Sequence, residues 1–231
     1  MSPGNGMLSP EEQTAFLQSA SNVQQAAVSQ LSAHPAEHSV VTFVRSLHQA
    51  VDRVVDTAVD RGEHLDCKAG CSHCCSARVE AIAPEIFLIA GELAQRPMSE
   101  FAELIGRLQA HIAAPNQEAL PWNQRKSCPF LEDHLCSIYP VRPATCRKGH
   151  STDAGACAVH APVIPQHLDL ILDAEALIGG TSGAYRQRGL DGSAHELVRA
   201  VLLALLDPTA QARWFNGEQV FEAAAPEPHG R

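Results

Sequence analysis

Cys67-Lys68-Ala69-Gly70-Cys71-Ser72-His73-Cys74-Cys75 places four thiols within nine residues. Wound as a helix at about 100° per residue, these positions fall within an arc of about 100° and form a stripe roughly 12 Å long. Gly70 weakens the case for a regular helix, and a loop leading into a helix would also let the thiols converge. Four more cysteines follow. They stand in Cys128-Pro129-Phe130-Leu131, in Cys136-Ser137-Ile138-Tyr139, in Arg142-Pro143-Ala144-Thr145-Cys146-Arg147, and at Cys157. The two groups meet only if the chain between them folds back as a helical hairpin.

Thiolates are soft ligands suited to zinc, Cu(I) or iron–sulfur clusters. One structural zinc takes four ligands at roughly 2.3 Å, and adjacent Cys74 and Cys75 do not easily serve the same tetrahedral ion. A [4Fe–4S] cluster also takes four cysteines and accepts them from separated segments. Eight cysteines therefore fit two metal centres, or one centre with spare thiols. The alternative is a set of inert buried thiols, since free cysteine packs as a small hydrophobe. Grouping at these intervals argues against that. The spacing matches neither a zinc ribbon nor a bacterial ferredoxin.

Outward from this stretch, the 231-residue chain is 45% hydrophobic and carries a formal charge of -9. The segment from Cys67 to Cys157 is formally neutral, so the acidity belongs to the flanks. Acidity and only 5% aromatic residues disfavour a nucleic-acid binder. No secretory signal is visible at the N-terminus, and the longest apolar run, Ala200 to Leu206, is too short to span a bilayer. The expected setting is cytoplasmic, with no membrane contact. There, clustered cysteines point to metal or redox chemistry rather than disulfides.

The flanks carry helical signals. Ser9-Pro10-Glu11-Glu12 is a capping box that opens a helix to about Leu31. Val40, Val44, Leu47, Val51, Val54 and Ala58 step as one amphipathic helix. Ile86 to Leu93 after Pro84 predicts another, and Phe101 to Ile112 after Ser99 a third. Leu168, Ile171 and Leu172 begin a helix that is expected to break at Gly179-Gly180, with Gly179 to Gly183 as a hinge. A second capping box, Ser193 to Glu196, is expected to open a helix bearing Leu197 to Leu205, and Asp207-Pro208 to cap a last one around Trp214. A small hairpin pairing 129–131 with 137–139 across Glu132-Asp133 is the main strand signal. The expected fold is mainly α, one domain over 1–231. It comprises N-terminal helices at 1–62, a cysteine-cluster core at 63–160, C-terminal helices at 161–222 and a disordered tail at 223–231.

The cysteine motifs together resemble the YkgJ family of cysteine-cluster proteins, described as zinc- or iron-chelating domains. The resemblance covers Cys67 to about Cys157. One departure is that three residues separate Cys67 from Cys71, where the family motif has two. The resemblance implies a metal site whose ligand candidates are Cys67, Cys71, Cys74, Cys75, Cys128, Cys136, Cys146 and Cys157. A related domain occurs in flagellin lysine methylases, where an iron–sulfur cluster is implied, and this tilts the expected metal towards Fe–S or iron, with zinc as the alternative.

Around the second group, Arg142 and Arg147 bracket Cys146 and are expected to sit beside the cofactor. Cations there lower thiol pKa values and offset thiolate charge. Arg142-Pro143 also suggests a short helix carrying Cys146. His73, His150 and His160 are possible nitrogen ligands, and Tyr139 is a packing residue. No phosphate loop, nucleophile elbow or H-E-x-x-H motif occurs. No catalytic residue can be named. Three functions fit the pattern. One is an iron or Fe–S protein, alone or within a modification or methyl-transfer system. The others are a structural zinc module that binds a partner, and a labile metal carrier or sensor. The partner, protein or small molecule, is not identified.

Overall fold

The computed structural model describes residues 8–68, 70–114 and 120–221. The tail expected at 223–231 lies outside them. The fold is mainly α with two small antiparallel strand pairs.

Helix α1 (Pro10–Ala33) starts as its capping box requires. Ser9 Oγ accepts from Glu12 N at 3.1 Å, while the Glu12 carboxylate accepts from Ser9 N at 2.7 Å. The expected single helix through Val40 to Ala58 is divided at Phe43 into α2 (Glu37–Thr42) and α3 (Val44–Asp60). Tightening explains the division, since Ser46 N reaches back only three residues to Phe43 O.

The next elements are β1 (Glu80–Ile82), α4 (Ala83–Leu93) and α5 (Met98–Ile112). Helix α4 is apolar on almost every side and is the central rod of the core, buried from Ala83 to Ala90. It packs on α2 and on α9 (Leu197–Leu206). Phe87 of α4 meets Trp214 and Phe221 at ring-centroid distances of 5.6 and 5.3 Å. Trp214 lies on α10 (Ala210–Phe215) and donates its indole N–H to Asp191 O.

Helix α8 (Leu168–Gln187) corrects one expectation, because it runs unbroken through Gly179, Gly180 and Gly183. These glycines do not form a hinge. A Cβ on Gly180 would stand 2.6 Å from Ala20 O and 2.7 Å from Val23 Cβ of α1, and one on Gly183 would stand 2.7 Å from Gln24 Oε1. The small residues let α1 and α8 approach backbone to side chain, and that packing offsets the low helix propensity of glycine.

A second correction concerns Ser193. It does not cap α9. Residues 194–196 form β4 (Ala194–Glu196), which pairs with β1 in the register Glu80↔Glu196, Ala81↔His195, Ile82↔Ala194. The cap of α9 is Glu196, whose carboxylate accepts from Val198 N and Arg199 N. No described helix is long and apolar enough to cross a membrane.

Candidate metal centre

The stretch bearing Cys67 to Cys75 is a series of turns rather than a helix, so the thiol stripe does not form. Gly70 adopts φ +88°, a left-handed conformation that only glycine takes without strain. Cys71 N bonds back to Lys68 O, Cys75 N to Ser72 O, and Ala77 N to Cys74 O. Each tight turn re-aims the next thiol.

Two ties fix where this stretch lies. Asp66 N donates to Ser151 O at 2.9 Å, and the Asp66 carboxylate accepts from Ala154 N at 2.8 Å. Ala154 opens α7 (Ala154–Ala158), the helix that carries Cys157. At the other end, Cys128 N donates to Cys75 O at 2.6 Å. Cys128 leads into the hairpin of β2 (Leu131–Glu132) and β3 (Leu135–Cys136), where Leu131 pairs with Cys136. The turn falls at Asp133 and His134, both at positive φ, one residue later than expected. Two consecutive left-handed residues make the two-residue turn whose twist suits a hairpin. Glu132, held by Arg96 at 2.9 Å and by Arg107, fastens the hairpin to its surroundings.

Cys146 rides on α6 (Ala144–Arg147), which follows Pro143 as expected. Its position depends on Glu85 and His48, two buried residues that sequence reasoning missed. Glu85 sits in the first turn of α4 and is 2% exposed. One carboxylate oxygen accepts from Ala144 N at 2.7 Å and pairs with His48 Nε2 at 2.9 Å. The other accepts from Ile82 N at 3.1 Å. A single carboxylate thus joins α3, α4 and α6 and satisfies two backbone donors. A carboxylate three residues after a helix boundary, with proline at the helix start, is a capping-box sign that the sequence displayed. Thr145 Oγ1 adds a bond to Glu80 O at 2.9 Å.

The flanking cations separate into two roles. Arg147 is spent on structure. Its guanidinium meets Asp52 at 2.6 Å and donates to Arg142 O and Pro140 O. Arg142 faces the thiols. Its guanidinium lies 4.0 Å above the Tyr139 ring, and its charge helps hold down the thiols of Cys74, Cys136 and Cys146. Among the described residues its buried Nε has no hydrogen-bond partner. A buried, unsatisfied donor is costly unless a bound acceptor takes its hydrogen bond.

Every cysteine is a free thiol. The Cys75 thiol donates to the Cys74 sulfur, pulling Cys74 down to about 6 and driving Cys75 upward. Burial, then repulsion from neighbouring thiolates, raises Cys128 to about 11 and Cys146 to about 12. Burial likewise raises Cys67 and Cys136. Thiolates that repel one another in half-buried surroundings form a donor set that a soft cation neutralises. The residues fit a thiolate-bound metal on those chemical grounds. Among the described residues no three Cys, His, Asp or Glu side chains converge on a point as a ready-made single-ion site.

The histidines do not join them. His150 is buried with both ring nitrogens engaged: Nδ1 donates to Lys148 O, and Nε2 accepts from His167 N at 2.9 Å. That pairing settles the neutral tautomer and leaves no lone pair for a metal. His160 stacks on Trp122 with ring planes 9° apart, and His73 is exposed.

Residues 66–163 match the CxxCxxCC family. Its description is "Putative zinc- or iron-chelating domain", consistent with the cysteine-cluster resemblance of the sequence. The CxxCxxCC segment takes in all eight cysteines together with α4, α5, the hairpin, α6 and α7. That description supports metal binding by this segment. The α1, α3, α8 and α9 helices lie outside the CxxCxxCC match and build the frame on which it is mounted. No curated protein matches the chain. No solved structure matches it.

Proposed function

We propose that this chain holds iron as an iron–sulfur centre through its clustered cysteines. The observation that supports the reading is eight free cysteines on separated segments that the fold ties together, Cys128 N bonding Cys75 O and Leu131 pairing with Cys136. A cluster is wider than one ion and takes its cysteines from dispersed positions. Arg142 supports the same reading. A buried guanidinium Nε with no acceptor among the described residues suits an anionic, sulfide-bearing centre, because hydrogen bonds to sulfur are one means by which a protein tunes a cluster. When bound, the cluster supplies electron-transfer or Lewis-acid chemistry, and the chain's part is to supply thiolates, position them and offset their charge. Eight free thiols suit a reducing, cytoplasmic setting.

Anaerobic purification followed by an absorption spectrum and iron, sulfide and zinc analysis tests this. The expected result is a brown protein with broad absorption near roughly 400 nm, where thiolate-to-iron charge transfer appears. A colourless protein with stoichiometric zinc overturns it and leaves a zinc-thiolate module.

A further inference from the structure

Pro165 O accepts from Thr152 N at 3.0 Å, so the chain between them leaves the body of the molecule and returns to the same place. The base of this loop is firm. His150 and Ser151 are buried, Gln166 Nε2 donates to His150 O at 2.9 Å, and His167 N donates to His150 Nε2 at 2.9 Å. Beyond the base nothing is buried. Every residue from Asp153 to Ile164 is half-buried or exposed, and Val159 and Val163 are 76% and 78% exposed. The loop is nevertheless ordered from within. Asp153 caps α7 by accepting from Ala156 N, Val159 N donates to Gly155 O, and Ala161 N donates to Ala156 O. Close ends, internal bonds and no buried side chain make a compact unit that can move without disrupting the core.

Contacts with distant segments hold it down at both ends. At its start, the Asp66 carboxylate accepts from Ala154 N at 2.8 Å. At its far end, the His160 ring lies flat on Trp122, with centroids 5.2 Å apart and planes 9° from parallel. His160 takes a left-handed φ of +52° there, a backbone cost that the stack offsets. Trp122 is itself steadied by the Arg125 guanidinium, 4.4 Å from its ring centroid. We propose that residues 153–164 are a lid that swings as one body about Thr152 and Pro165, latched by the stack of His160 on Trp122. The lid carries a single cysteine, Cys157, which is half-buried when latched. Opening breaks the tie to Asp66, withdraws Cys157 from the neighbouring Cys67 segment and presents its thiol to solvent. The device gates that thiol, and its movement does not depend on which ion the cysteines hold.

Hydrogen exchange of the full chain, read by mass spectrometry, tests the lid, with the alkylation rate of Cys157 measured on the same samples. In wild type the amides of Cys157, Val159, His160 and Ala161 should exchange as one group while those of Thr152 and His167 stay protected. His160→Ala and Trp122→Ala should each speed that group, and the alkylation of Cys157, by about three- to tenfold, the worth of one ring stack. The double variant should go no further than either single one, because both remove the same latch. Exchange over α1 and α8 should stay as in wild type. A wild type in which the group exchanges only together with Thr152 and His167 overturns the lid, and that comparison stands even where a variant fails to fold. Unchanged rates in both folded single variants overturn the latch, as does an acceleration that spreads equally over α1 and α8.

Discussion

Between α1 and α8 the chain is held by shape: Gly180 lies so close to Ala20 O and Val23 that any side chain would collide, and Gly183 lies against the movable end of Gln24. Between Cys67 and Ala77 it is held by turns, a left-handed glycine and a few backbone bonds, with half-exposed thiols where a core would otherwise be. The first region stores its stability in close packing, which is indifferent to protons and metals. The second is built from groups whose charge depends on both. The molecule thus mounts a segment rich in titratable, metal-binding groups on a frame held chiefly by packing, and Glu85 belongs to both.

The largest expected effect is at that junction. Glu85→Ala leaves His48 Nε2, Ala144 N and Ile82 N without their acceptor in the core, at a cost of about 3–5 kcal/mol. Urea denaturation measures it, and a loss below about 1 kcal/mol would show that Glu85 does not couple the regions. Next comes Gly180→Val, which overpacks the α1–α8 contact and costs about 2–3 kcal/mol. Metal uptake per folded chain should stay unchanged, and an equal loss of uptake would show the frame and the thiol segment to be one unit.

pH separates the regions by sign. In metal-free protein, Cys128 and Cys146 are raised from 9.0 to about 11 and about 12. The stability linked to them is full below the unfolded value and is lost as pH rises through the folded ones. Thermal melts of chelator-treated protein should therefore fall from pH 9 upward. Loaded protein should instead weaken in acid, as protons displace metal. Matching alkaline curves would remove thiol ionisation from the account.

The smallest effect is in the frame. Burial opposes the Asp191 charge, but hydrogen bonds from His195, at 2.8 Å, and from Ser193 hold the carboxyl below its usual 3.8. Its contribution is present above that value and lost as pH falls through the folded one. Asp191→Asn should flatten the acid limb of the stability curve and leave the alkaline limb untouched.

What could be read in advance follows from how local each signal is. The Ser9 capping box and the α4 and α5 periodicities are written within a few residues, and those helices form where expected. The cysteine-cluster signature is likewise legible, because its spacing is a local pattern, and residues 66–163 match that family. Gly179 to Gly183 misleads because a glycine that permits close approach looks the same in sequence as one that breaks a helix. The deciding partners, Ala20 and Val23, lie far back in the chain. Ser193 misleads for a similar reason, since only pairing with β1 turns residues 194–196 into a strand. His150 looks like a spare ligand until His167 N is seen to occupy its lone pair. The ties that place the cysteine-bearing segments are illegible in sequence because they are made by Asp66, Cys75 O and Glu85, through contacts between distant segments.

The most direct test of the central claim is the iron and acid-labile sulfide content of the anaerobically isolated chain, read beside its thiol count before and after chelation. The account expects iron and sulfide in equal amounts, and cysteines that become alkylatable only once the metal is stripped. Cysteines equally reactive before and after chelation, with neither iron nor zinc retained, would contradict it.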